Sequence, residues 1–226
     1  MAKKKFFIAG TDTDAGKTRV ACGLLEKARQ SGLQTAAIKP VAAGCEKTDA
    51  GLRNDDALAL QDAMTLQLPY AQVNPVALEE AIAPHIAAMH ENKSLSVNRL
   101  AGFCNGILMQ SCDWVVIEGA GGWRVPLNPR ETLANLAVEL NLPVILVVGM
   151  KLGCINHALL SVEAIERDGL KVAGWVANRI DPAMSCYEEN IMTLRTLIGA
   201  PCLGEVPFLE VPSKENIAKY LDLESL

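Results

Sequence analysis

Aromatic residues make up only 4% of this 226-residue chain, although half of it is hydrophobic. The apolar material is mostly Ala, Leu, Val and Ile, a mix that suits parallel strands covered on both faces by helices. No apolar run reaches the ~18 residues that a bilayer-spanning helix needs, so a membrane partner is not expected. Residues 1–10 pass from a short apolar run straight into a glycine loop, which is not the pattern of a cleaved leader. Basic charge is sparse too, with 21 Lys and Arg against 26 Asp and Glu. The only basic run, Lys3-Lys4-Lys5, suits the solvated edge of a first strand better than a grip on nucleic acid. The seven cysteines contain no C-x-x-C pair and no metal-site spacing, and several lie in apolar runs. They read as buried thiols in a reducing compartment, which makes the expected location cytoplasmic. Repeats, linkers and low-complexity segments are absent as well.

What is there alternates in type along the whole chain. Strands are expected at 6–9, 34–39, 114–117, 143–148 and 172–177, with a last short one near Leu203. Helical spacing marks 17–30, 55–66, 97–110, 131–140, 155–167 and 187–198, with a final helix near 215–221. Ser31-Gly32 closes the first of these helices. Residues 69–93, with prolines at 69, 75 and 84, fit no single element. Strand–helix–strand spacing implies right-handed crossovers and a mostly parallel sheet flanked by helices, an α/β fold forming one domain over 1–226. Ligands of such sheets bind beyond the carboxyl ends of the strands.

After the first strand comes Gly10-Thr11-Asp12-Thr13-Asp14-Ala15-Gly16-Lys17-Thr18. Glycines there let backbone N–H groups turn toward phosphate oxygens, and the following helix adds its positive end. This is a P-loop pattern, NTPase-like, with Lys17 for the β and γ phosphates and the Thr18 hydroxyl for Mg2+. It has five residues between its glycines where the common form has four. Magnesium needs more oxygen ligands. Glu118 ends a strand and precedes Gly119-Ala120-Gly121-Gly122, which leave room for a nucleotide. Asp55 and Asp56 could face the same ion, with a helix N-cap as the structural alternative for Asp55.

These residues resemble the dethiobiotin synthetases, the ATP-dependent ring-closing enzymes of biotin synthesis. The resemblance runs through Lys39-Pro40-Val41-Ala42, Gly51 to Asn54 leading to Asp56, Val73-Asn74-Pro75, Pro84-His85, Glu118 to Trp123, Gly153 to His157 and Gly174 to Asn178. The five-residue glycine gap is the form this family uses. The resemblance implies 7,8-diaminononanoate, CO2 and ATP as substrates, Mg2+ as cofactor and a homodimer. It makes Lys39 catalytic beside Lys17, both supplying fixed positive charge where negative charge develops. Nucleotide contacts carry over to Asp14, Ala15, Gly16, Lys17, Thr18, Arg19, Asp56, Glu118, Gly119, Ala120 and Gly121, and the metal ligands are Thr18, Asp56 and Glu118.

At the base end, Asn178-Arg179-Ile180-Asp181 looks like the N-K-x-D guanine motif with arginine for lysine, the alternative being a turn at Asp181-Pro182. In the family Asn178 and Arg179 meet adenine, and Pro207-Phe208-Leu209 lines the other side, so ATP is favoured and GTP stays open. Diamine contacts carry over to Thr13, Lys39 and Ala43, where the family commonly has serine. The resemblance further implies that Leu152, Gly153 and Asn156 hold the diamine's carboxylate across a dimer interface, at a helix start whose N–H groups suit an anion. Trp123 reads as a shield for the cleft, Trp114 and Trp175 as core, and the histidines as packing or hydrogen-bonding groups.

Two rivals share the loop. A ParA/MinD-like switch ATPase adds a lysine early in the loop, where this chain has Thr11 or Asp12, and needs a basic surface or amphipathic anchor. Residues 214–226 carry mixed charge and end Asp222-Leu223-Glu224-Ser225-Leu226. An amidotransferase-type synthetase wants a glutaminase domain, for which the chain is too short.

Overall fold

The computed structural model describes residues 3–226; Met1 and Ala2, which belong to the stretch read for a leader, lie outside it. Strand β1 (Lys4–Gly10) feeds the glycine loop, which opens α1 (Lys17–Gln30), and β2 (Thr35–Ile38) follows. The next stretch holds β3 (Val41–Ala42) and an antiparallel hairpin of β4 (Glu46–Thr48) and β5 (Gly51–Arg53). After α2 (Asp55–Ala63), the unassigned segment becomes α3 (Tyr70–Val73), β6 (Val76–Ala77) and α4 (Pro84–His90). Its prolines are punctuation. Pro69 precedes α3, Pro75 precedes β6, and Pro84 opens α4, where a missing N–H costs nothing.

The remaining path runs α5 (Val97–Leu108), β7 (Trp114–Glu118), α6 (Leu133–Glu139), β8 (Val144–Met150) and α7 (Cys154–Arg167). It finishes with β9 (Val172–Arg179), α8 (Tyr187–Leu197), β10 (Cys202–Val206) and α9 (Lys214–Ala218). Asn54, Ser96 and Ser213 cap their helices by accepting from the third helical N–H, at 3.3, 3.3 and 3.2 Å. Several helices are shorter than their periodicity suggests, α2 and α6 among them. Beyond α2, the N–H groups of Thr65 and Leu66 bond the Thr35 carbonyl, pulling the chain onto β2. Helix α6 starts after Thr132, its N-cap, whose backbone N–H donates to Asn135 Oδ1 at 2.8 Å in a capping box.

The main sheet has six parallel strands in the order β10-β9-β8-β1-β7-β2. Side chains alternate across it. Phe6 and Ile8 pack with α1, α2 and α9 on one face, and Phe7 and Ala9 with α5, α6 and α7 on the other. Strand β8, Val-Ile-Leu-Val-Val-Gly-Met, is buried throughout, and each fully buried leucine such as Leu24 contributes about 1.5–3 kcal/mol. From β1 the chain crosses one way to β2, while β8 flanks β1 on the other side. The crevice at that reversal opens beside Gly10, where an α/β sheet places its ligand. Among the described residues no helix is long and apolar enough to cross a membrane.

Candidate functional site

A cleft of about 1160 Å³ lies along the carboxyl ends of the central strands. The glycine loop forms its floor. Gly16 has φ +88°, and a Cβ there would overlap the Asn178 amide, so both backbone and space demand glycine. Asn178, buried at the end of β9, donates from Nδ2 to the Ala15 carbonyl at 2.9 Å. The strand end read for base recognition therefore also supports the loop from behind. Lys17 is buried and donates to the Asp12 carbonyl at 3.2 Å. Burial lowers its pKa, with Glu118 opposing and Lys39 reinforcing that shift. Asp12 pairs with Lys151 at 3.0 Å, and that bond holds its carboxyl below the usual range.

Lys39 is 4% exposed and fixed at both backbone atoms. Its N–H meets the Val73 carbonyl at 2.8 Å, and its own carbonyl accepts from Asn74 Nδ2 at 2.8 Å. Its ammonium lies 2.6 Å from Glu118 Oε1 and 2.9 Å from Asp56 Oδ2. Thr18 Oγ1 donates to the same Glu118 oxygen at 2.8 Å. Burial alone would push Lys39 toward neutrality. Glu118 and Asp56 more than offset it, and its pKa sits above the ordinary lysine value. Burial likewise works against the Asp56 carboxylate, but the Lys39 charge prevails and lowers its pKa.

Glu118 is fully buried, and its Oε2 has no hydrogen-bond partner. A buried carboxylate oxygen left bare costs free energy unless a cation or donor meets it. Thr18, Asp56 and Glu118 offer only oxygen donors, the set that magnesium takes together with water and nucleotide phosphates. The three fit such an ion. The Lys39 ammonium stands where the ion's charge would otherwise balance the two carboxylates. Asp55 has no share in this: Asn54 is the N-cap of α2, and Asp55 is exposed.

Thr13, Asp14, Gly16, Lys17, Thr18, Arg19, Lys39 and Asp56 line the cleft, whereas Ala15, Glu118 and Gly119 lie behind the lining. Ala120 and Gly121 line it on the far side of the loop. At the base end Asn178, Arg179, Pro207, Phe208 and Leu209 face one another. The Arg179 guanidinium bonds the carbonyls of Asp181 and Pro182 at 3.4 and 3.0 Å and stacks on Tyr187. Asp181 accepts from the Ala183 N–H at 2.9 Å, so its carboxylate closes a local turn.

At the opposite end Ala43 lines the cleft, while Leu152, Gly153 and Asn156 do not. Leu152 is 91% exposed. Cys45 is buried with its thiol toward the Ala42 carbonyl. Trp123 is no shield over the cleft. It packs edge-on against Phe7 in the core and donates from Nε1 to Asp168. Among the histidines, His90 pairs with Glu80, while the buried Nδ1 of His85 has no partner. Sequence reasoning missed Arg124, Val125 and Pro126 in the wall. It also gave no role to Asn74, although the Val73-Asn74-Pro75 motif marked the place that anchors Lys39.

Comparison with known proteins agrees on type. The model of a family described as "AAA domain" matches residues 4–216. A protein of Cellvibrio japonicus named ATP-dependent dethiobiotin synthetase BioD is 64% identical, covering 100% of this chain and 99% of its own length. Its namesakes from Marinobacter nauticus and Pseudomonas aeruginosa PAO1 are 56% and 57% identical over 100% and 98% of the chain, and 99% and 97% of their own. Among solved structures, the septum site-determining protein MinD with Mg-ADP from Pyrococcus horikoshii is similar at TM-score 0.54 and 16% identity, covering 98% of this chain and 87% of that one. A ParA family ATPase from Chlorobium tepidum gives TM-score 0.54 at 14% identity, over 96% and 91%. Such low identities speak for the fold alone.

Proposed function

The chain belongs to the ATP-dependent dethiobiotin synthetase family, and from that premise we propose that it joins 7,8-diaminononanoate, CO2 and ATP into dethiobiotin, ADP and phosphate. One observation supports this best: the buried Lys39 ammonium meets Asp56 and Glu118 in the same cleft as the phosphate loop. A phosphoryl acceptor and a triphosphate can then face each other across fixed charge.

One amine of the diamine takes up CO2 as a carbamate and loses a proton. A carbamate oxygen attacks the γ-phosphorus, and ADP leaves. The second amine attacks the carbonyl carbon of the mixed anhydride, phosphate departs, and the cyclic urea closes. Lys17 holds the β and γ phosphates, and Lys39 holds the carbamate and the transferring phosphoryl group. Both ammonium groups are desolvated, so their attraction for developing charge is stronger than it would be in water. Thr18, Asp56 and Glu118 would hold Mg2+, which when bound would supply further positive charge at the phosphates. Asn178 with Pro207, Phe208 and Leu209 holds the base; a buried amide at that edge suits adenine.

Residues 1–226 act as one cytoplasmic domain, and two copies associate. Exposed Leu152 and Leu160 on and beside α7 and Met192 on α8 support that contact. A partner placed there offers the N–H groups at the start of its α7 to the diamine's carboxylate. Purified protein given the diamine, bicarbonate and Mg-ATP is expected to release phosphate only when the diamine is present. Release indifferent to the diamine would instead favour a switch ATPase. Rates with ATP and GTP at equal concentration test the base, and a GTP preference would overturn that part.

A further inference from the structure

We infer that Asp168 is a positioning residue for the diamine end of the cleft, acting through Trp123 and Arg124. This rests on the reading that the diamine binds there. Asp168 is the C-cap of α7, the negative end of the helix dipole, where an acid is unfavourable. Something must offset that cost. Its carboxylate accepts from Arg124 Nη1 at 2.7 Å and Nη2 at 2.8 Å, and from Trp123 Nε1 at 2.8 Å. Bidentate arginine pairs are directional as well as strong, so one carboxylate fixes both side chains.

Those side chains close the glycine run that starts after Glu118. The Gly119 N–H bonds the Ile8 carbonyl, and the Val125 carbonyl accepts from the Leu133 N–H. Between them, among the described residues, no backbone bond ties residues 120–124 to the rest of the protein. The Trp123 ring buried on Phe7 and the Arg124 fork on Asp168 take over that task. The pinned segment carries Gly121, which lies against Thr13 and Val125, and all three line the cleft. Asp168 itself does not line the cleft, so it acts through this wall.

The test is steady-state kinetics of the full chain carrying Asp168→Asn, which keeps the shape and removes the charge. The diamine KM is expected to rise about tenfold, the scale of one charge-assisted hydrogen bond, with kcat and the ATP KM within about twofold. Arg124→Met, which leaves the Trp123 bond in place, is expected to raise the diamine KM by no more than Asp168→Asn does, and the double variant no further than Asp168→Asn, since the Arg124–Asp168 contact is common to both. Should Asp168→Asn not fold, Arg124→Met carries the same test. Equal rises in diamine and ATP KM, or an unmoved diamine KM in an active protein, overturn this inference alone. Wild-type protein without diamine-dependent phosphate release overturns the parent reading, and this one with it.

Discussion

At the phosphate end of the cleft, Lys17, Lys39, Glu118 and Asn178 are buried charged or polar groups, and all their hydrogen-bond partners come from within the chain. At the end we propose for the diamine, the lining includes Ala42, Ala43, Gly44, Val125 and Pro126, and Leu152, outside the lining, is almost wholly exposed. The first region draws its charged groups from one chain and holds them out of water, which strengthens their attraction for developing charge. The second takes its shape from loop ties and, in our reading, from a second copy. Damage to the first should therefore appear in kcat, and damage to the second in the diamine KM.

Lys39→Met is the largest blow to that contrast. Loss of one well-aimed donor costs about 2.7–4 kcal/mol of transition-state stabilisation, or about 10²- to 10³-fold in kcat. It also leaves Glu118 buried without its cation. Breaking a buried pair costs about 3–5 kcal/mol, and the lower end applies because Asp56 is 48% exposed. A fall in melting temperature without ligand is expected, together with tighter Mn2+ binding to the nucleotide-free protein by titration, because the competing ammonium is gone. An unchanged kcat would show that the charged end is not the catalytic one.

Leu152→Asp should act on the other region only. The side chain is 91% exposed in one chain, so the monomer has little to lose on folding. Sedimentation should show a dimer turned monomer, with the diamine KM raised about 10- to 100-fold, the worth of one buried leucine, and the ATP KM unmoved. A dimer that persists with normal kinetics would remove the second copy from the diamine end.

The same contrast explains what could be read in advance. The phosphate loop is contiguous and follows a strand of plain apolar character, so its residues announce both element and chemistry. Strand β8 is legible for a similar reason, being buried on both faces. The hairpin β4–β5 is not, because its short strands are largely exposed and show no alternation. The end of α2 is not legible because a distant partner, Thr35, claims the residues beyond it, whereas the start of α6 is set by the Thr132–Asn135 capping box. Arg124 and Asp168 are 44 positions apart. Nothing local marks either of them, and only the crossover from β8 through α7 brings them together. Residue type alone does not separate Asp56 from Asp55; the family resemblance picks out Asp56, and Asn54, not Asp55, takes the cap of α2.

Ala43→Ser probes the smallest difference between the two ends. Ala43 lines the cleft, and its carbonyl accepts from Asn54 Nδ2 at 3.4 Å, so the backbone there is already held in place. The change adds one hydroxyl to an apolar wall, at the position where the family resemblance leads us to expect serine. A new neutral hydrogen bond contributes about 0.5–1.5 kcal/mol net, so the diamine KM should fall about 2- to 10-fold while kcat and melting temperature hold. The hydroxyl has one competing outlet, since it can turn back to nearby backbone as serine often does. In that case KM stays put, and the diamine meets this wall through its methylene chain alone. The two ends would then differ more sharply than proposed, one reading charge and the other only shape.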